Sequence, residues 1–212
     1  MIDDAEVTTS PVVNTIYAHL LGAISEGTLE PGDRISDAQL AGEFGVSRTP
    51  VREAIQRLRD IGVIEASANR FTRVAVVTPP QTAKAMTVWV ALYSALVLEV
   101  ITEPNPELAE RMERDHDEFN ASLASGDFVG MARANFAFFD RLAHLTTNEV
   151  LARSITSVVH MVRLGSMHLP EAIDVSRLSR LQSELLAAIR VGDRDAAVAV
   201  IAGLRDIRIP QD

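Results

Sequence analysis

Hydrophobic and polar positions follow two different patterns along the chain, and the change falls near residue 78. Before it, an apolar stripe at helical spacing precedes several short segments, two of which alternate as strands do. After residue 80 every pattern is helical, with proline or glycine between the segments. The helices predicted there are about 81–103, 106–125, 127–146, 148–168, 171–191 and 194–208. The pattern therefore predicts a small α/β module followed by an all-helical module.

The first module carries the boundary residues of three helices and a hairpin. A first helix begins at Ser10, because serine caps helices and the proline that follows suits the first turn. Ser36, with Gln39 three residues later, opens a short second helix that Gly45 ends. A third helix runs over about 48–61, and two strand patterns follow it. Two helices joined by a tight turn and followed by a hairpin form a winged helix-turn-helix.

These patterns divide the chain into four parts. We expect a flexible acidic N-terminus over 1–9, a winged helix-turn-helix domain over 10–77, a linker over 78–80 and a helical domain over 81–212. The linker is predicted because its two consecutive prolines stiffen the chain. The fold class is therefore mainly α, with the second domain an antiparallel bundle of about six helices.

Composition excludes several classes of protein. The chain has 212 residues, 47% of them hydrophobic, which is enough for a packed core. It has no cysteine, so disulfides and thiolate sites are excluded. The opening "MIDDAEVTTS" does not resemble a secretory signal, and the apolar run over 85–101 is short for a membrane span. We expect a soluble cytoplasmic protein without a membrane partner.

The distribution of charge points to one binding face. The formal net charge is -9, yet the stretch from Phe44 to Arg59 holds four arginines against one acidic residue, Glu53. Phosphate attracts a basic surface, and an acidic remainder limits stray contact with nucleic acid. The pattern is typical of a protein that meets DNA through a single face.

The third helix supplies the candidate base-reading residues. The N-terminal turns of such a helix face the base edges of the major groove, and they carry Arg48, Thr49 and Arg52 here. Arginine can bond guanine O6 and N7 through two N–H groups. Arg57 and Arg59 are expected to meet phosphates or solvent. The alternative is that all these arginines form only a solvated face, paired with nearby carboxylates.

The stretch "EPGDRISDAQLAGEFGVSRTPVREAIQRLRDIGVIEAS" resembles the N-terminal domain of GntR-family bacterial transcription regulators. The resemblance covers roughly residues 11–77 and implies specific binding to double-stranded operator DNA as a homodimer. The residues assigned to DNA contact are Ser47, Arg48, Thr49, Arg52, Asn69 and Arg70. Two positions depart from the family pattern: Phe71 replaces a glycine of the wing, and Ala38 stands where relatives often have arginine.

Two later stretches, over 134–155 and 181–201, resemble the FCD-type effector domain of the FadR subfamily. Many relatives hold a divalent metal there through an aspartate and three histidines. The matching positions are Asn135, Phe139, Gln182 and Leu204, none of which is the usual ligand. The resemblance therefore implies a domain without its metal and without any other cofactor. His116, between two aspartates, is expected to be solvated.

A cavity left by the metal would serve as an effector pocket. Its expected lining is Trp89, Tyr93, Asn135, Phe139, Arg141, Arg163, Gln182 and Leu204, with His160 and Met161 nearby. Arginine suits a carboxylate and the other side chains suit an apolar body, so an amphipathic acid is the expected effector. In the alternative, the helical domain serves only dimerisation and DNA binding is independent of any effector.

The sequence contains none of the motifs that carry catalysis, such as a nucleophile elbow or a phosphate-binding glycine loop. We therefore do not expect an enzyme. The resemblance implies a transcriptional regulator, and since repression is the commoner outcome in the family, we expect a repressor.

Overall fold

The computed structural model of the protein describes residues 10–67, 70–166 and 174–207. The chain divides into two compact units between Ala75 and Val76. The N-terminal residues predicted to be flexible, 1–9, lie outside the described ranges.

The first unit contains three helices and a two-stranded antiparallel sheet. Its elements are α1 (Pro11–Ser25), α2 (Asp37–Glu43), α3 (Arg48–Asp60), β1 (Ile64–Ser67) and β2 (Phe71–Val74). In the sheet Ile64 pairs with Val74 and Ser67 pairs with Phe71. The predicted winged helix-turn-helix is confirmed, with α2 and α3 as its helix pair and the sheet as its wing.

Local chemistry accounts for these boundaries. The side chain of Ser36 accepts a hydrogen bond from the backbone N–H of Gln39, which caps α2. Gly45 adopts a φ of 64°, a left-handed conformation that lets the chain turn sharply into α3. The core faces of both long helices are buried as predicted. They comprise Val13, Ile16, Leu20 and Ile24 of α1 and Val51, Ala54, Ile55 and Leu58 of α3.

The second unit is an all-helical bundle, as predicted. Its elements are α4 (Pro79–Val100), α5 (Pro106–Ser125), α6 (Phe128–Ala143), α7 (Glu149–Ser166), α8 (Val175–Val191) and α9 (Arg194–Gly203), followed by a 3-10 turn at Leu204–Asp206. Helix α5 packs on α6 and α8, while α4 packs on α7 and α9. Aromatic and aliphatic side chains of all six helices meet in one core.

The predicted linker at 78–80 is wrong in one respect, because Pro79 and Pro80 are the first residues of α4. Proline fits there since the first N–H groups of a helix have no intrahelical acceptor. Thr78 and Gln81 form a reciprocal capping box that fixes this start.

Helix α4 reaches the length and hydropathy that a membrane span requires. Seven of its side chains are nevertheless buried within the unit, among them Trp89, Tyr93 and Leu96. The core helix of a bundle meets the same criteria, and α4 packs as such a helix against α7 and α9.

Candidate functional site

The N-terminal end of α3 presents a polar, positively charged face. Ser47, Arg48, Thr49 and Arg52 are all exposed there, opposite the buried stripe of the same helix. Arg70 is exposed in the turn between β1 and β2. Asn69, the other residue expected at the wing tip, lies outside the described residues.

A groove of about 680 Å³ runs between α3, the start of α2 and the wing. Its lining residues are Arg34, Ile35, Ser36, Asp37, Arg52, Ile55, Gln56, Arg59, Ala66, Arg70, Phe71 and Thr72. Four of these are arginines and one is an aspartate. A concave surface with this excess of positive charge attracts phosphate groups.

One acidic residue of the groove contacts a predicted base-reading arginine. The Nε–H of Arg52 donates to Oδ2 of Asp37 over 2.8 Å. The hydrogen bond from Arg52, together with its charge, holds the pKa of the Asp37 carboxyl below its ordinary value. Asp37 therefore remains ionised at neutral pH.

Sequence reasoning missed several members of this groove. Gln56 lies four residues after Arg52 on the same face of α3, and helical spacing alone would have identified it. Asp37 and Arg34 come from outside α3, so no local pattern relates them to Arg52.

Arg57 has a different role from the one predicted. Its guanidinium lies 4.5 Å from the centroid of the Tyr17 ring, and its Nη1 donates to Oδ1 of Asn14 over 2.7 Å. Burial raises the pKa of the Tyr17 phenol, and the charge of Arg57 opposes that rise. Arg57 thus joins α3 to α1 and is not directed at phosphates.

Phe71, which replaces a glycine of the wing, contacts a nearby arginine through its ring. The Arg73 guanidinium lies 4.4 Å from the centroid of the Phe71 ring, and its Nε donates to Oε1 of Glu65 over 2.6 Å. Arg73 is therefore held on the sheet by two contacts. Arg70 is exposed in the turn and makes no ion pair with any of the described residues.

In the helical unit, two of the positions matched to metal ligands are bonded to each other. The Nε2 of Gln182 donates to Oδ1 of Asn135 over 2.9 Å, and its Oε1 accepts from Nδ1 of His116 over 2.8 Å. Gln182 is fully buried. Both ends of its amide are thus satisfied inside the bundle.

The network continues beyond His116. Asn120 donates through Nδ2 to the His116 Nε2 over 3.0 Å, and Ser179 donates to Oδ1 of Asn120 over 2.7 Å. The Oγ of Ser183 also lies 3.0 Å from the same Nε2. These partners favour the tautomer that carries its proton on Nδ1. The expectation of a solvated His116 is therefore wrong, because the side chain is half-buried in this network.

The apolar positions expected in the pocket form a packed aromatic cluster. Trp89 and Tyr93 stack with ring centroids 4.0 Å apart, and Phe139 meets them edge-on at 5.0 and 5.9 Å. These three side chains and Leu204 are at most 5% exposed. Burial, and then the charge of Asp140, raise the pKa of the Tyr93 phenol. The phenol therefore remains neutral at physiological pH.

The two arginines expected in the pocket already have partners. Arg141 is bound to the buried carboxylate of Asp115 through two hydrogen bonds, one of them from Nη2 to Oδ1 over 2.8 Å. Its guanidinium is therefore not available for a ligand carboxylate without breaking that pair, which differs from the expectation. Arg163 lies 5.2 Å from the centroid of the Phe136 ring.

The residues at the family's ligand positions do not fit a divalent metal. Phenylalanine and leucine offer no donor atom, and the two amides are occupied by hydrogen bonds to each other and to His116. Within the described residues, no three histidine, aspartate or glutamate side chains converge as a metal site would require.

His160 of α7 gives the helical unit a predicted pH dependence. Burial, and secondly the charge of Arg163, lower the pKa of this imidazole from 6.5 to about 4. Between about pH 4 and pH 6.5 this histidine is therefore protonated in the unfolded chain but not in the folded chain. The free energy of unfolding falls as the pH falls through this range. We expect a loss of roughly 2–3 kcal/mol at about pH 4.5.

Urea unfolding followed by Trp89 fluorescence, at several pH values, measures this loss. The His160→Gln variant carries no titrating group at this position, so its unfolding free energy should depend less steeply on pH. An identical pH dependence in parent and variant would contradict the prediction.

Comparison with known proteins agrees with this architecture. Residues 12–74 match the model of the gntR family of bacterial regulatory proteins, and residues 85–205 match the FCD domain. The HTH-type transcriptional regulator YdhC of Bacillus subtilis is 27% identical over 159 residues, which cover 73% of this chain and 71% of that protein. A probable D-xylose utilization operon transcriptional repressor of Paenarthrobacter nicotinovorans is 21% identical over 195 residues, covering 90% and 84% respectively.

Solved structures show the same fold. The structure of McbR/YncC from Escherichia coli superimposes with a TM-score of 0.75 at 22% sequence identity, and the match covers 92% of this chain and 93% of that one.

Proposed function

Because the chain belongs to the GntR family of bacterial transcriptional regulators that carry an FCD domain, we propose that its exposed arginine face binds operator DNA. The observation that carries this proposal is the placement of Arg48, Thr49 and Arg52 on one exposed end of α3 in a chain of net charge -9. Relatives and family are regulators of transcription, so the protein is a regulator and not an enzyme.

In the proposed complex, the N-terminal turns of α3 enter the major groove. Arg48 and Arg52 bond to guanine edges, and Thr49 contacts a phosphate or a thymine methyl group. Arg70 reaches the adjacent minor groove from the wing. Binding over a promoter blocks transcription, which agrees with the name of the D-xylose repressor among the relatives. Acting on DNA in a bacterium, the protein works in the cytoplasm.

Footprinting on the DNA upstream of the protein's own gene, and on a library of random duplexes, tests the proposal. We expect one protected two-fold symmetric site with half-sites about 34 Å apart. Binding that depends only on salt and not on sequence would overturn it.

The second copy of the proposed homodimer is expected on α4. Val88, Ala91, Ala95 and Leu98 are exposed there at helical spacing, and Val88 and Leu98 are 48% and 45% exposed. An apolar stripe on the outside of a bundle helix is typical of a helix–helix interface.

We expect Leu98→Asp to convert the dimer to a monomer, because a carboxylate would be buried in the interface. Light scattering gives the mass of each species. The control is Val150→Asp, which changes a valine of α7 that is 66% exposed and should leave the mass unchanged. A Leu98→Asp chain that remains dimeric would place the interface elsewhere.

We propose two candidate roles for the helical unit, neither of which uses a metal. In the first, an amphipathic carboxylic acid binds there and favours a dimer arrangement whose recognition helices no longer match the half-site spacing. In the second, the unit only dimerises. The complete burial of Gln182 and the engagement of Arg141 by Asp115 favour the second role.

Thermal unfolding separates these roles. Treatment with EDTA should leave the unfolding temperature and DNA affinity unchanged, and a drop in either would overturn the metal-free proposal. A carboxylic acid that binds at a hundredfold excess over its Kd should stabilise the unit by about 2.7 kcal/mol and change operator affinity. A panel of acids without any such effect leaves dimerisation as the role.

A further inference from the structure

The contact between Asp37 and Arg52 restricts how the arginine can read a base. An arginine can bond guanine either through its two Nη atoms or through Nε and one Nη. Here the Nε–H is already donated to Oδ2 of Asp37, at 2.8 Å, while the Arg52 side chain remains 67% exposed. Only the terminal Nη edge is left for a bidentate contact with a base pair.

The same contact orders Arg52 before DNA arrives. A free arginine side chain has considerable rotamer entropy, part of which is lost when it binds in one geometry. Because Asp37 belongs to α2 and Arg52 to α3, the hydrogen bond fixes the guanidinium relative to two helices at once. Preorganisation of this kind favours the one base pair that suits the fixed geometry.

Asp37 also weakens the attraction of the groove for DNA of any sequence. Its ionised carboxylate lies in a groove lined by Arg34, Arg59 and Arg70 as well as Arg52. A negative charge there reduces the attraction of the groove for phosphates. An exposed ion pair of this type adds little to folding stability.

We propose that Asp37 is a specificity-determining positioning residue. It directs the Nη edge of Arg52 to one base pair, and it weakens nonspecific binding to DNA that lacks the operator sequence. The inference rests on the proposed binding of operator DNA by α3. Asp37 itself touches no base and acts through Arg52.

Selection from a random duplex library with the full-length protein tests this inference. The parent should enrich one symmetric motif, and Arg52→Ala identifies the base pair in each half-site that Arg52 reads. At that base pair, a bidentate arginine gives a preference of about 5–150-fold. In Asp37→Ala the preference should fall at least about fivefold, while affinity for random DNA stays equal or rises.

Two further variants test whether a loss of preference arises from the Asp37–Arg52 contact and not from the loss of any negative charge. Asp37→Asn keeps an oxygen acceptor for Nε, so it should retain more of the preference than Asp37→Ala does. Glu43→Ala removes the same charge from α2, where the carboxylate accepts a hydrogen bond from Gln39 and not from an arginine, and should retain the full preference.

The outcomes separate this inference from the proposed function. If the parent enriches a motif and Asp37→Ala keeps the full preference at the Arg52 base pair, the role of Asp37 is overturned and operator binding stands. If the parent enriches no motif, sequence-specific binding is overturned, and the role of Asp37 with it. Circular dichroism establishes that each variant is folded.

Discussion

Replacing Arg48 and Arg52 together by alanine is expected to abolish specific operator binding. Each bidentate contact between arginine and guanine contributes about 1–3 kcal/mol, so the double variant should lose roughly 2–6 kcal/mol per half-site. Both side chains are exposed at the start of α3, opposite its buried stripe. Their removal should therefore leave the fold intact while operator affinity falls by about 30-fold or more.

Fluorescence anisotropy with the footprinted duplex and with a scrambled duplex measures this loss. The control is the double variant Arg111→Ala/Arg114→Ala, which removes two exposed arginines of α5 that are paired with Glu107 and Glu110. It has the same charge as the double variant of α3 and should bind as the parent does. A double variant that still prefers the operator over the scrambled duplex would show that other residues read the sequence.

The second large effect is expected from Gln182→Leu in the helical unit. Leucine keeps the approximate volume of glutamine but removes the acceptor of the His116 Nδ1–H and the donor to the Asn135 Oδ1. A fully buried polar group left without a partner costs about 1–3 kcal/mol. Because His116 and Asn135 are half-buried, we expect the two together to reduce the unfolding free energy by about 2 kcal/mol, the lower end of the range for two such groups.

The single tryptophan, Trp89, is 5% exposed within this unit, and its fluorescence therefore reports unfolding of the bundle alone. Ser183→Ala serves as the control. It removes one exposed partner of the His116 Nε2, whose other partner, Asn120, remains, so its effect should stay below about 1 kcal/mol. Equal stability of Gln182→Leu and the parent would mean that the network contributes nothing to the fold.

Local sequence patterns were sufficient to predict most of the fold. Proline and glycine mark the ends of nearly every helix after residue 80, and the observed bounds of α5 coincide with the predicted range 106–125. The stripes of α1 and α3 are buried as their spacing predicts. These features depend on neighbours within four residues, which is the range over which helical periodicity and capping act.

Contacts between distant residues were not predictable in this way. His116 is 66 residues from Gln182, and Arg141 is 26 residues from Asp115. From the local sequence, a histidine between two aspartates is expected to be solvated. Only the packing of α5 on α8, which the local sequence does not show, brings the glutamine amide to it. The exposed arginine face of α3 was predicted from its motif, but Asp37, which accepts a hydrogen bond from Arg52, belongs to another helix.

The contacts of Arg57 limit how this DNA-binding unit can be recombined. A regulator could be redesigned by grafting its recognition helix alone onto another scaffold. Here such a graft would separate the Arg57 guanidinium from Asn14 and from the ring of Tyr17, both on α1. A functional chimera should therefore exchange α1 and α3 together, since the smallest transferable part of this unit contains both helices.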